Sequence, residues 1–124
     1  MARVVVIVDD ADSVAASLAL AFESIPGVKS VIAHNSQEAL RLFTAPDSKI
    51  AAVVTDLHLP YLNGFELIKE IRSLADYNNL PAIMITADER AATGAARTIY
   101  SPNVIFRKPC SLREVSRVLE ELLA

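Results

Sequence analysis

Cysteine is almost missing from this sequence: the one thiol, Cys110, has no second cysteine to pair with, which excludes an internal disulfide and fits a reducing cytosol. No apolar run approaches the length of a membrane span. Met1-Ala2-Arg3 leads straight into a strand-like run without the layout of a signal peptide, so a cytoplasmic location and no membrane partner are expected. No basic run stands out and the formal net charge is −3, so the attraction to backbone phosphates that drives nucleic-acid binding has no source. Glycine is scarce, at three residues, and none follows the first strand-like run, where a cofactor-binding phosphate loop would need it. There is no repeat, linker or low-complexity segment, so residues 1–124 read as one domain.

What is present is apolar and patterned. Apolar residues make up 52% of the 124, enough for a sizeable core. The organising stretch is Ala51-Ala52-Val53-Val54-Thr55, an apolar run halted by Asp56. Its length and composition suit a strand buried on both faces of a parallel sheet. Pro60 and Asn63-Gly64 then force a loop. Similar runs occur at Arg3–Val8, Val28–Ala33, Ala82–Thr86 and Val104–Arg107. Between them lie helical patterns. Val14, Leu18, Phe22 and Ile25 precede Pro26-Gly27, and Ala39, Leu40 and Phe43 follow a cap at Asn35 with Glu38 three residues on. Phe65, Ile68, Ile71 and Leu74 give a third helix, which Asn78-Asn79 should end. Arg90 to Tyr100, with Gly94 and many alanines, gives a fourth whose thin apolar stripe predicts the loosest packing. Ser111 and Glu114 form a capping box before a fifth, carrying Leu112, Val115, Val118, Leu119 and Leu122. Five strands alternating with five helices mean an α/β fold with parallel strands, right-handed crossovers and helices on both faces.

Parallel strands end together, and in open α/β sheets chemistry collects at their carboxyl ends. Here those ends carry Asp9 and Asp10, Asp56, Thr86 and Lys108. Alone, each has a bland explanation: Asp9-Asp10 as a helix cap, Thr86 as an ordinary strand-end residue, Lys108 as a solvated charge. Together they are specific. Two like unit charges about 4 Å apart cost roughly 4 kcal/mol at an effective dielectric of 20, which a divalent cation relieves. Carboxylate oxygens with room for water suit Mg²⁺ or Mn²⁺ rather than zinc. A cation, a lysine and a hydroxyl around a free carboxylate are what an incoming phosphoryl group needs, with Asp56 attacking in line to form an aspartyl phosphate.

Val8-Asp9-Asp10, Asp56-Leu-His-Leu-Pro60 with Asn63-Gly64, Ile85-Thr86-Ala87 and Lys108-Pro109 resemble the motifs of response-regulator receiver domains in two-component signalling, of the single-domain, chemotaxis-regulator-like kind. The likeness runs over essentially the whole chain. It implies a flavodoxin-like (βα)5 three-layer sandwich with strand order 2-1-3-4-5. It implies a signalling domain rather than an enzyme, with Asp56 as phosphoacceptor from a histidine kinase or histidine phosphotransfer protein. Asp10 would bind Mg²⁺ directly, Asp9 directly or through water, and His58 through its backbone carbonyl, while Thr86 and Lys108 contact the phosphoryl oxygens. A cis peptide before Pro109, a downstream protein target and a homodimer formed on phosphorylation, through the fourth and fifth helices, belong to the same implication.

One position departs from the family. An aromatic usually lies three residues before the lysine and turns inward when the threonine moves, but here that residue is Ile105, with Phe106 on the opposite face of the strand. A β-branched side chain is stiff and short, so output is expected either through backbone shifts around Thr86 and the helix after it, or by passing phosphate on. His58 and Asp88, two residues after Asp56 and Thr86, are candidates for controlling water access to the acceptor. His34 reads as a strand-end residue, and Tyr61, Tyr100 and Cys110 as packing or contact residues. The rival readings are weaker. A Mg²⁺-dependent aspartate-nucleophile phosphatase would carry a second aspartate where His58 stands. A flavodoxin-like cofactor binder would not place Asp9-Asp10-Ala11-Asp12 against a phosphate, and a non-phosphorylated pseudo-receiver scaffold would have lost some of the five residues.

Overall fold

Alternation along the strands decides which helices cover which face. In the computed structural model, which describes residues 2–88 and 101–124, five parallel strands form one sheet in the order β2-β1-β3-β4-β5. They are β1 (Arg3–Val8), β2 (Val28–Ala33), β3 (Ile50–Thr55), β4 (Ala82–Thr86) and β5 (Val104–Arg107). Four helices are described: α1 (Asp12–Glu23), α2 (Ser36–Thr44), α3 (Gly64–Arg72) and α4 (Leu112–Leu123). Val5, Ile7, Ala52, Val54, Ile83 and Ile85 pack on one face with Ala15, Leu18 and Phe22 of α1 and Val115 and Leu119 of α4. Val6, Val8, Val53 and Met84 pack on the other with Ala39 and Phe43 of α2 and Leu67, Ile68 and Ile71 of α3. Each Val, Leu, Ile, Phe or Met among them, fully buried, stabilises the fold by about 1.5–3 kcal/mol, and each alanine by less. The three central strands therefore have apolar residues on both sides, as their continuous runs predict. Ile105 joins the α2–α3 core and Phe106 the α1–α4 core, so the two lie on opposite faces of β5.

The helix ends depart from expectation in instructive ways. Helix α3 stops at Arg72, short of Asn78, and a 3-10 turn (Ala75–Tyr77) follows. Leu74 turns to an extended conformation to reach the core. Asn78 still closes the helix from outside, its Nδ2 donating to Arg72 O at 2.8 Å. Ser111 caps α4 from Glu114 N, but the Glu114 carboxylate pairs with Arg117 instead of returning to the cap, so the box is half made. A complete box occurs at α3, between Asn63 and Glu66. The expected helix over 90–100, with Gly94 and Tyr100, lies outside the described residues.

Arg72 ties the sheet's β4–β5 side together. Its buried guanidinium donates twice to Leu80 O, at 3.1 and 2.9 Å, and to Asn103 Oδ1 at 2.9 Å. Asn103 Oδ1 also accepts from Ala82 N at 2.9 Å. Burial pushes the arginine's pKa down, and the fork of donors offsets the cost of enclosing it.

Candidate functional site

The sheet delivers Asp9, Asp56, Thr86 and Lys108 to one rim because β1, β3, β4 and β5 run parallel, with β1 and β3 ending together at Val8 and Thr55 and β4 and β5 together at Thr86 and Arg107, two residues farther on. Asp56 is fixed at both ends of its backbone. Its N–H donates to Val8 O at 3.0 Å, and its carbonyl accepts from Thr55 Oγ1 at 2.8 Å. Its carboxylate accepts from Leu57 N at 2.7 Å through Oδ1 and from Lys108 Nζ at 3.2 Å through Oδ2. Lys108 Nζ also lies 3.5 Å from Asp9 Oδ2. The loop carrying the lysine is held by Lys108 N donating to Thr86 O at 2.8 Å, and the Lys108–Pro109 peptide is cis.

Asp9 is 2% exposed, with Oδ1 accepting from Ala11 N at 2.8 Å, so it does hold the turn into α1. Asp10 is exposed. One carboxylate oxygen from each of Asp9, Asp10 and Asp56 lies within 4.8 Å of the others. That spacing, with hard oxygen donors and an exposed member open to water, fits Mg²⁺ or Mn²⁺. Thr86 is buried, and its Oγ1 accepts from Asp88 N at 3.1 Å. His58 is 69% exposed, and its Nε2 lies 3.1 Å from Asp88 Oδ2. Asp88 thus links the Thr86 turn to the loop after Asp56. His34 lies at the end of β2 between Asp12 and Glu38, at 3.3 Å from each. Cys110 is half-buried against the α1–α4 core, and burial pushes its thiol pKa up.

The electrostatics of the rim are those of too much negative charge under cover. Burial raises the Asp9 pKa and the neighbouring Asp56 adds to it; the Ala11 N–H and Lys108 only partly offset this. Burial pulls the Lys108 pKa down, but Asp56 and Asp9 outweigh it and the net shift is upward. A carboxyl whose folded pKa is raised keeps its proton to higher pH when folded than when unfolded. Its ionisation therefore removes stability as pH rises from about 3.8 through the folded value. In EDTA, wild type relative to Asp9→Asn should lose thermal stability across that window and stay lower at neutral pH. Divalent cation reverses the sign of the difference: Mg²⁺ at a hundredfold its Kd adds about 2.7 kcal/mol, or about 10 °C for a chain of this length. Thermal unfolding of both proteins against pH, with and without Mg²⁺, checks this; a pH-independent difference and no Mg²⁺ shift would count against a cation at this cluster.

Three residues do structural work at the rim that the sequence does not reveal: there Gly64 reads only as a motif residue, Tyr61 only as a packing or contact residue, and Ser36 has no role. Gly64, the first residue of α3, lies against Asp56 O, where an added Cβ would come within 2.4 Å. Ser36, fully buried at the start of α2, donates to Pro60 O and accepts from Leu62 N, each at 3.0 Å, and so clamps the loop after Asp56. Between those clamped residues Tyr61 has φ +75°. The Asn63…Glu66 spacing was the one visible signal, since it marks where α3 must begin.

A model of the response regulator receiver domain matches residues 5–120. Among curated relatives, the transcriptional regulatory protein FixJ of Rhizobium meliloti is 35% identical over 125 residues, covering 95% of this chain and 57% of its own length. A chemotaxis protein CheY homologue of Campylobacter jejuni is 29% identical over 91 residues, 73% of this chain and 69% of that protein. This chain thus spans a little over half the length of FixJ. Among solved structures, the receiver domain of a sensor histidine kinase from Pseudomonas aeruginosa, with a magnesium ion coordinated in its active site cleft, superposes with a TM-score of 0.80 at 21% identity, covering 99% of this chain and 98% of that one. Among the described residues no helix is long and apolar enough to cross a membrane.

Proposed function

The chain belongs to the response regulator receiver domain family, and on that premise we propose that Asp56 is its phosphoacceptor, taking a phosphoryl group from a histidine kinase or histidine phosphotransfer protein. The single observation that carries the assignment is the convergence of Asp56 Oδ2 and Lys108 Nζ at 3.2 Å beside an acidic cluster with metal-ligand spacing. In the transfer, an Asp56 oxygen forms the bond to phosphorus while the donor leaves with the electron pair of the bond that breaks. Lys108 meets the charge on the phosphoryl oxygens, and Thr86, whose Oγ1 accepts from Asp88 N, keeps its hydroxyl proton to donate to them. Asp9, Asp10 and Asp56, with the His58 carbonyl, would hold Mg²⁺ or Mn²⁺, which supplies charge neutralisation for the phosphoryl oxygens when bound. The domain is read as a signalling component rather than an enzyme, although it assists its own phosphorylation and dephosphorylation. Its output is a change in affinity for a downstream protein, or for a second copy of itself, without direct contact with nucleic acid or membrane.

Labelling with radioactive acetyl phosphate in Mg²⁺ tests the assignment. One hydroxylamine-labile phosphoryl group per chain, mapped to the peptide holding Asp56, is the expected result. A stable ester on Ser or Thr, or no label, would refute it. The His58–Asp88 contact joins the loop after Asp56 to the turn after Thr86, and in this reading it limits the access of water to the acyl phosphate. His58→Ala should shorten the half-life of the labelled protein severalfold without changing the amount of label at saturation. An unchanged half-life would leave His58 a bystander.

A further inference from the structure

Tyr61 combines two features that each work against its being there. Its φ of +75° lies in the left-handed region, which is disfavoured for any residue with a Cβ and far more so for a bulky one. Its side chain is 70% exposed and belongs to neither core, so packing does not compensate for the backbone. Glycine would fit the same turn without strain. The conformation is imposed from outside: buried Ser36 Oγ holds Pro60 O and Leu62 N, the residues on either side. Gly64 N donating to Leu57 O at 2.8 Å closes the same loop at its base. The backbone that carries this large, exposed aromatic is thereby held at both flanking residues, in the loop that begins at Asp56.

The surroundings say what it would meet. Residues 57–63, Leu-His-Leu-Pro-Tyr-Leu-Asn, carry no fixed charge; Leu62, next to Tyr61 in the chain, is half-exposed, and Leu59 packs partly against the α2–α3 core. This makes an uncharged, partly apolar loop that follows directly on the acidic cluster of Asp9, Asp10 and Asp56. Strain retained at an exposed position points to function, and preorganised aromatics are the usual anchors of protein interfaces. We propose that Tyr61 is a docking and specificity residue for the phosphohistidine-bearing protein that supplies Asp56. The proposal rests on the phosphoacceptor reading. It selects the donor because only a protein that brings a phosphorylated side chain into bonding reach of Asp56 must press its surface onto this loop.

Two variants separate strain from contact. Tyr61→Gly removes the ring and relieves φ, and Tyr61→Ala removes the ring and keeps the strain. Both, with Tyr61→Phe as control, are assayed against acetyl phosphate and against purified, autophosphorylated histidine kinases of the source organism. The melting temperature should rise by a few degrees for Tyr61→Gly and not for Tyr61→Ala. Labelling by acetyl phosphate should match wild type in all three. Transfer from the kinase fastest with wild type should fall about tenfold or more in both ring-deleted variants and be kept in Tyr61→Phe. Undiminished kinase transfer, or a wild type that no kinase labels, overturns the proposal while acetyl phosphate still reports on Asp56. A Tyr61→Gly protein less stable than wild type overturns it as well, because the ring would then be serving the fold. Loss of labelling by both donor types would place Tyr61 in the acceptor site itself and also overturn it.

Discussion

Asp56→Asn is expected to abolish labelling by acetyl phosphate while leaving the protein folded. The substitution is isosteric, and the amide Oδ1 can still accept from Leu57 N as the carboxylate does at 2.7 Å. What disappears is the nucleophile, because an amide oxygen does not displace acetate from phosphorus at neutral pH. Lys108 loses its nearer acceptor, at 3.2 Å, and keeps Asp9, at 3.5 Å. The cluster also loses one of its three negative charges. These two changes oppose each other, so stability should move by no more than about 1 kcal/mol, well inside what a domain tolerates. The Mg²⁺-induced rise in melting temperature should shrink, since one ligand oxygen has lost its charge. Undiminished labelling would move the acceptor to Asp9 or Asp10, the other carboxylates within 4.8 Å. Labelling lost together with the folded state would mean that Asp56 is structural.

The sequence carried the sheet and the rim almost completely, for a physical reason. A strand buried on both faces must be apolar along most of its length, so β1, β3 and β4 announce themselves, and the polar residues that halt each run (Asp9, Thr55 with Asp56, and Thr86) mark the carboxyl ends. Asp9, Asp56 and Thr86 follow from that rule, and Lys108 from the arrest of β5. The opposite facing of Ile105 and Phe106 follows from strand period alone. What stayed hidden depends on contacts between residues far apart in the chain. The link from His58 to Asp88 spans 30 residues, and those from Ser36 to Pro60 and Leu62 span 24 and 26. No local pattern encodes them. The early end of α3 is similar: Leu74 leaves the helix because the core lies elsewhere, and helical spacing cannot say so. Glu114 chose Arg117, one turn along the same face, over its cap, a competition between two local options of similar strength.

Gly64→Ala should be among the most damaging single changes in the protein, although helix propensity argues the reverse. Position 64 is the first residue of α3 and has no left-handed φ, so alanine there would ordinarily favour the helix by up to about 1 kcal/mol. The added methyl, however, would stand 2.4 Å from Asp56 O, 2.8 Å from Met84 Cε and 3.1 Å from Leu57 Cα. The Met84 methyl is the end of a flexible chain and can yield. Asp56 O cannot move alone, because Thr55 Oγ1 donates to it and Asp56 N is bonded to Val8 O in the sheet. Either α3 is pushed off the sheet, costing contacts of buried Leu67, Ile68 and Ile71, or the acceptor's peptide is displaced from the rim. Overpacking of this kind costs about 3 kcal/mol, more than propensity returns, and shows as a fall of about 10 °C in melting temperature for a chain of this length. Acetyl phosphate labelling of the folded fraction should also drop, because a shift of the acceptor by an ångström misaligns it with Lys108. Adding Met84→Ala separates the contacts. If the backbone clash dominates, Gly64→Ala costs as much stability and labelling in the Met84→Ala background as in the wild type, a comparison that takes out the cavity cost of Met84→Ala itself. A much smaller cost there would place the obstruction at the methionine methyl and leave the approach of α3 to the acceptor peptide without consequence.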